Sequence, residues 1–121
     1  MSPDSPTSIA RQWFDAFNEH HLEKLLALYH ENAAHYSPKL KAQNPDTKGL
    51  VTGKKNALRK WWQDCFDRSP TLKYVPQKFI ANEYEVFMEY LRYVEGEETL
   101  RVGEVLEIKD GLIVSSRVYH G

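Results

Sequence analysis

The chain has 121 residues, with 16 Lys and Arg against 17 Asp and Glu for a formal charge of -1, enough for one domain, 1–121, that buries roughly two thirds of the surface its unfolded form exposes. This balance gives no global field to hold nucleic acid or an anionic membrane, and no apolar run could span a bilayer. The polar start MSPDSPTS lacks a secretory pattern, so the expected location is cytoplasmic, and the single Cys65 can form neither an internal disulfide nor a thiolate cluster.

Residues 1–7, with Pro3 and Pro6, read as a flexible lead ending in a helix start that Ser5 or Thr7 can cap. Ile9, Trp13, Ala16 and Phe17 then define one apolar helical face over about 6–18. Asn18 to His21 interrupt it, and Leu22, Leu25, Leu26 and Tyr29 predict a second helix to about His30. AAHYSPKL predicts a short strand at 33–37, followed by a long loop, 38–52, holding Pro38, Pro45 and Gly49. Thr52 can cap a third helix whose face carries Ala57 or Leu58, Trp61, Trp62, Cys65 and Phe66, and DRSP ends it near 68. On that face Cys65 reads as a small buried hydrophobe.

From Thr71 the period changes to two, and four β-type runs follow, divided at Asn82-Glu83, Gly96 and Asp110-Gly111. Pro76 cannot donate to a ladder, which places the first run at an edge or a bulge. The pattern predicts an α+β domain of three N-terminal helices and a meandering, mainly antiparallel sheet. The closing SSRVYHG then reads as the end of a hairpin strand, against the alternative of a frayed tail.

Alternation puts Val86, Met88, Tyr90, Arg92 and Val94 on one face, and Phe87, Leu91 and Tyr93 on the other. In the next strand Val102, Glu104, Leu106 and Ile108 oppose Arg101, Gly103, Val105 and Glu107. Both faces are partly apolar, so the second also expects a cover, and the expected cover is the sheet of a second copy in a homodimer.

LLALYHENAAHYSP, GKKNALRKWW and VLEIKDGLIVSSRVYHG resemble the SnoaL-like branch of the nuclear-transport-factor-2-like superfamily over about residues 8–121. The resemblance implies a cone, in which a curved sheet wraps three helices around a pocket, often in a dimer paired through the sheets. Ketosteroid isomerase is similar in fold, and its functional positions fall here on Trp13 in place of a tyrosine, Ser37 in place of the general base, and Glu104 in place of the oxyanion-binding acid. A serine without an activating base cannot abstract a proton near neutral pH, so steroid isomerisation itself is not expected. The same register implies that His35, Met88, Tyr90, Arg92 and His120 face the pocket.

Glu104, lined by Val102 and Leu106, reads either as a buried acid of raised pKa or as the cross-strand ion-pair partner of Arg92. His35 and His120 could assist proton transfer, or hydrogen-bond neighbours at the rim. Tyr90 and Arg92 would orient negative charge, while Trp13, Phe17, Ser37, Trp62, Phe66 and Met88 would hold the ligand, with one of the adjacent Trp61 and Trp62 turned away. His20, His21 and His30 read as solvated, and KLKAQNPDTKG as a solvated loop or a lid. No ligand spacing supports a metal, and no cofactor is expected. The expected function is binding of a small, largely apolar organic molecule, with cofactor-independent acid–base chemistry such as isomerisation, cyclisation, dehydration or hydrolysis. The competing reading is a non-catalytic binding or association module.

Overall fold

The computed structural model describes residues 5–43 and 45–120, except for the side chains of Lys55 and His120. Of the expected lead 1–7, residues 1–4 lie outside the described residues, while Pro6 and Thr7 belong to the first helix and Ser5 caps it, accepting from the Ser8 amide at 3.2 Å. That helix, α1 (Pro6–Asn18), buries Ile9, Trp13, Phe14 and Phe17. Its end is held by an amide clamp: Asn18 donates to the Tyr74 carbonyl and accepts from the Tyr74 amide, both at 2.8 Å.

The second helix is shorter than its periodicity predicts. α2 (Leu22–Leu26) stops after one turn, and β1 (Tyr29–Tyr36) begins at Tyr29, which the helical pattern had absorbed. Tyr29 is completely buried, so its spacing from Leu25 records a shared core and not a shared helix. The expected loop 38–52 is also structured, as α3 (Pro38–Gln43), a 3-10 turn (Pro45–Thr47) and β2 (Leu50–Thr52). Leu40, 2% exposed, anchors α3 to the core.

Thr52 ends β2 and caps nothing. Gly53, at φ +104°, instead opens a wide turn over Lys54–Leu58, in which the Leu58 amide bonds the Gly53 carbonyl. The extra residue per turn feeds directly into α4 (Arg59–Arg68). Along α4 both Trp61 and Trp62 are buried.

Six strands form one sheet in the order β2-β1-β6-β5-β4-β3, with β3 (Lys73–Ala81), β4 (Glu85–Tyr93), β5 (Leu100–Lys109) and β6 (Leu112–His120) as the antiparallel meander. β1 adds parallel to β6, so the last strand is interior. Pro76 lies on edge strand β3 beside a register shift, and Asp110 and Gly111 both have positive φ in the β5–β6 turn. Burial alternates strictly along β4, so Val86, Met88, Tyr90 and Arg92 face the helices. Along β5 the inward residues are Val102, Glu104, Leu106 and Ile108. No helix of the described residues is long and apolar enough to cross a membrane.

Candidate functional site

Between α1, α4 and the inner sheet face lies a chamber of about 50 Å³, lined by Trp13, Phe17, His35, Ser37, Trp62, Tyr74, Tyr90, Val102, Glu104 and Val118, with Lys39, Trp61, Cys65 and Arg92 toward its mouth. Pockets for drug-sized molecules commonly occupy about 300–1,000 Å³, so in this conformation the chamber is too small for such a body. Its walls are aromatic because α1 and the sheet interlock there: Trp13 stacks on Tyr74 with ring centres 5.6 Å apart, and tilts against Phe17 at 4.3 Å.

Glu104 is 1% exposed and directly opposite Met88 across the β4–β5 ladder. Tyr90 donates its hydroxyl to Glu104 Oε1 at 2.7 Å. Oε2 has no hydrogen-bond partner among the described residues. Burial pushes the carboxyl up to about 8, against a smaller lowering by the Tyr90 bond. At pH 7 the neutral acid is the favoured form, with the proton free to sit on the unpartnered oxygen.

Of the two alternatives for Glu104, the ion pair with Arg92 does not form. Arg92 stands opposite Leu100, two ladder steps beyond Val102, and donates through Nη1 to Glu97 at 3.0 Å. Inward alternation alone could not separate these two partners, since the β4–β5 turn that delivers Glu97 has no periodicity.

A second polar chain enters from β1 and β6. Trp13 donates its indole N–H to the Tyr29 hydroxyl at 3.1 Å, Tyr29 donates to Ser116 Oγ at 3.2 Å, and Ser116 Oγ lies 2.7 Å from His35 Nδ1. Each hydroxyl has one proton. The arrangement that satisfies every group has Ser116 donating to His35 Nδ1, which assigns the imidazole proton to Nε2. Burial drives the His35 pKa down to about 3, so the ring is neutral at pH 7. Burial also raises Tyr29, Tyr74 and Tyr90 well above the ordinary phenol range, so all three stay protonated.

Of the residues singled out in the sequence, Trp13, Phe17, His35, Ser37, Trp62, Tyr90, Arg92 and Glu104 meet at this chamber. Met88 and Phe66 do not line it. Met88 shares the inner face but is fully packed, and Phe66 is turned to Phe17 and His20, with ring centres 5.6 and 4.9 Å away. The choice between Trp61 and Trp62 dissolves, because both line the chamber. Cys65 is half-buried at the mouth, its thiol pKa raised by burial. His120 closes β6 opposite Val102, which makes SSRVYH a paired strand; its side chain lies outside the described residues. Tyr29, Ser116 and Tyr74 were missed, although the alternation from Val118 back to Ser116 carried a readable signal.

His20 is not simply solvated, since Nε2 bonds the Leu72 carbonyl at 2.8 Å. His21 caps α2 by accepting from the Lys24 amide at 3.0 Å, and exposed His30 accepts from the Asn32 amide. Among the described residues, no group of three or more His, Cys, Asp or Glu is placed to hold a metal ion.

The model of the SnoaL-like domain family matches residues 10–116. No curated protein matches the chain. Among solved structures, a SnoaL-like protein of unknown function from Burkholderia thailandensis is 21% identical with TM-score 0.85, over 96% of this chain and 93% of its own. A nuclear-transport-factor-2-like protein of unknown function from Cytophaga hutchinsonii is 18% identical with TM-score 0.74, over 97% and 90%. A Sinorhizobium meliloti protein provisionally called a polyketide cyclase is 16% identical with TM-score 0.78, over 98% and 99%. At these identities the likeness is one of fold.

Proposed function

The chain belongs to the SnoaL-like domain family, and we propose that it is a cofactor-independent enzyme that donates a proton, or a strong hydrogen bond, to an oxygen of a small organic substrate. The observation that carries this reading is Glu104: a carboxyl 1% exposed, bonded on one oxygen by Tyr90 and unpartnered on the other among the described residues, at the wall of a chamber.

A neutral carboxylic acid in an apolar wall is a donor aimed at the chamber, and it acts where charge develops on oxygen in the transition state. Tyr90 holds the acid in place and stabilises the carboxylate left after transfer. His35 is neutral and, with its proton on Nε2, supplies a second donor; a pKa near 3 makes it a poor base. The apolar walls exclude water, which strengthens both donors. Protonation of a hydroxyl, ether or carbonyl oxygen fits this set. Hydrolysis, and cyclisation by oxygen attack on a protonated carbonyl or ether, therefore rank above isomerisation and dehydration, both of which need a base to remove a carbon-bound proton. Ser37, 5% exposed and without such an activator, is not that base.

The test is carbon NMR of Glu104 together with Glu104→Gln in a screen of hydroxy-carbonyl and cyclic ether substrates. The expected results are a titration near pH 8 and a loss of about 10²–10⁴ in rate for the variant. A Glu104 that titrates at the ordinary carboxylate value would remove the acid from the mechanism.

A second reading draws on the size of the chamber. Ligand pockets commonly occupy about 300–1,000 Å³, and a space of 50 Å³ filled chiefly by its own side chains also suits a non-catalytic association module. Under that reading Glu104→Gln and the native chain bind the same partner and neither turns over any substrate.

A further inference from the structure

The chamber opens into a second space of about 200 Å³, lined by Lys39, Gln43, Trp61, Cys65, Arg68, Ser69, Arg92 and Glu97. Four of these, Lys39, Trp61, Cys65 and Arg92, line the inner chamber as well. Three cations, Lys39, Arg68 and Arg92, therefore face one carboxylate, Glu97, beside the inner chamber.

Arg92 has Glu97 as its counter-ion, at 3.0 Å, whereas Arg68 and Lys39 form no ion pair among the described residues. Arg68 is fixed by three contacts: Nε donates to the Asp64 carbonyl at 3.2 Å, Nη1 donates to Gln43 Oε1, and the guanidinium lies 5.7 Å over the Trp61 ring. Arg92, 8% exposed, uses Nη1 for Glu97 and makes no other side-chain bond among the described residues. Lys39 is half-buried on α3 and its ammonium makes no ion pair or hydrogen bond among the described residues. Burial lowers its pKa, and the positive charges of Arg92 and Arg68 add to that lowering, outweighing the attraction of Glu97. A half-buried cation pressed by two others is relieved by an anion in their midst.

We propose that this outer space is the seat of an oxyanion head group, so that the substrate of the Glu104 site is a compact organic anion whose reacting oxygen enters the inner chamber. The inference deepens the reading given above and rests on it for the chemistry, but the anion seat itself does not depend on Glu104. The two spaces together exclude a multi-ring body in this conformation. They admit a small acid, with Trp61 and the inner aromatic walls along its carbon frame and Lys39, Arg68 and Arg92 around its head.

Ligand-observed fluorine NMR tests this with three probes of one shape: 4-fluorobenzoate, 4-fluorophenyl phosphate and the neutral 4-fluorobenzamide. The expected result is that at least one anion binds roughly tenfold or more tightly than the amide, the loss expected for one charged hydrogen bond. The tighter of the two anions identifies the head group as carboxylate or phosphate. Lys39→Gln should weaken that anion by a similar factor at unchanged circular dichroism, while Lys39→Arg restores binding. Equal binding of amide and anions, binding by none of the three, or a Lys39→Gln protein that binds as the native one does would overturn the proposal. The outcomes separate the two readings. An ordinary Glu104 titration with a Lys39-dependent anion removes only the acid, and a raised titration without anion preference removes only the seat.

Discussion

Glu104 and Ser116 are both completely enclosed, yet among the described residues one is left with an unpartnered oxygen and the other is saturated. Ser116 accepts from Tyr29 and contacts His35 at 2.7 Å, so its single hydroxyl joins a helix tryptophan to a strand histidine through two strands. Removing it leaves the Tyr29 hydroxyl and His35 Nδ1 buried with nothing to bond. We expect Ser116→Ala to lower stability by about 1–3 kcal/mol, measured by urea unfolding, and to release the His35 tautomer, read in its nitrogen shifts. An unchanged midpoint would mean that water replaces the hydroxyl.

At the scale of elements, the site depends on joints that carry no periodic signal. The α1 helix is tied to edge strand β3 by the two bonds of Asn18 to the Tyr74 backbone, and Tyr74 in turn stacks on Trp13. Asn18→Ala should therefore cost about 1–3 kcal/mol for two lost bonds, and hydrogen exchange should show faster opening of β3 than of β5. Equal protection would show that the aromatic stack alone holds the edge. The β1–β2 hairpin is a second such joint. At Gly49, φ +85°, a Cβ would come within 2.7 Å of the Tyr36 ring, so the approach that brings Ser37 onto the chamber requires glycine. Helical and strand periods predicted α1, α4 and the four strands of the meander, because each buries one regular face. They misplaced Tyr29 and passed over α3 and the wide turn at Lys54–Leu58, where burial comes from chain crossing and not from a repeating face.

For the whole molecule, the two buried ionisable groups set opposite limits on stability. Folded Glu104 keeps a proton from pH 4.5 to about 8, where the unfolded chain has released it, so stability falls as pH rises across that window. Folded His35 refuses a proton from pH 6.5 down to about 3, where the unfolded chain takes one, so stability falls as pH drops across that window. Between pH 4.5 and 6.5 the two slopes cancel. Urea unfolding should show a plateau there and a loss of about 1.4 kcal/mol per pH unit on the alkaline side up to about pH 8. Glu104→Gln should abolish that alkaline loss, and a native chain that holds constant stability from pH 6.5 to 8 would contradict the buried acid.

The outer sheet face leaves Ile80 57% and Tyr93 40% exposed, with Phe87 and Val105 partly covered, and Tyr84 in the β3–β4 turn is 70% exposed. We propose that a second copy covers it, and sedimentation at micromolar concentration should then give twice the 14.1 kDa chain mass. A monomer mass would leave that face to solvent.

The α+β class, the order of most elements and the inward alternation of Tyr90, Arg92 and Glu104 follow from the sequence alone, since the faces of regular elements are written in the spacing of their residues. So is the pairing of SSRVYH, because Asp110-Gly111 compels a hairpin that consumes the chain to residue 120. Tertiary structure alone decided which charge answers which: Arg92 goes to Glu97 and leaves Glu104 to Tyr90, and Lys39 joins Arg68 and Arg92 without a partner among the described residues. Charges interact through space and not along the chain, and residues 39, 68, 92 and 104 meet only after a helix, a wide turn and two strands have been folded over one another.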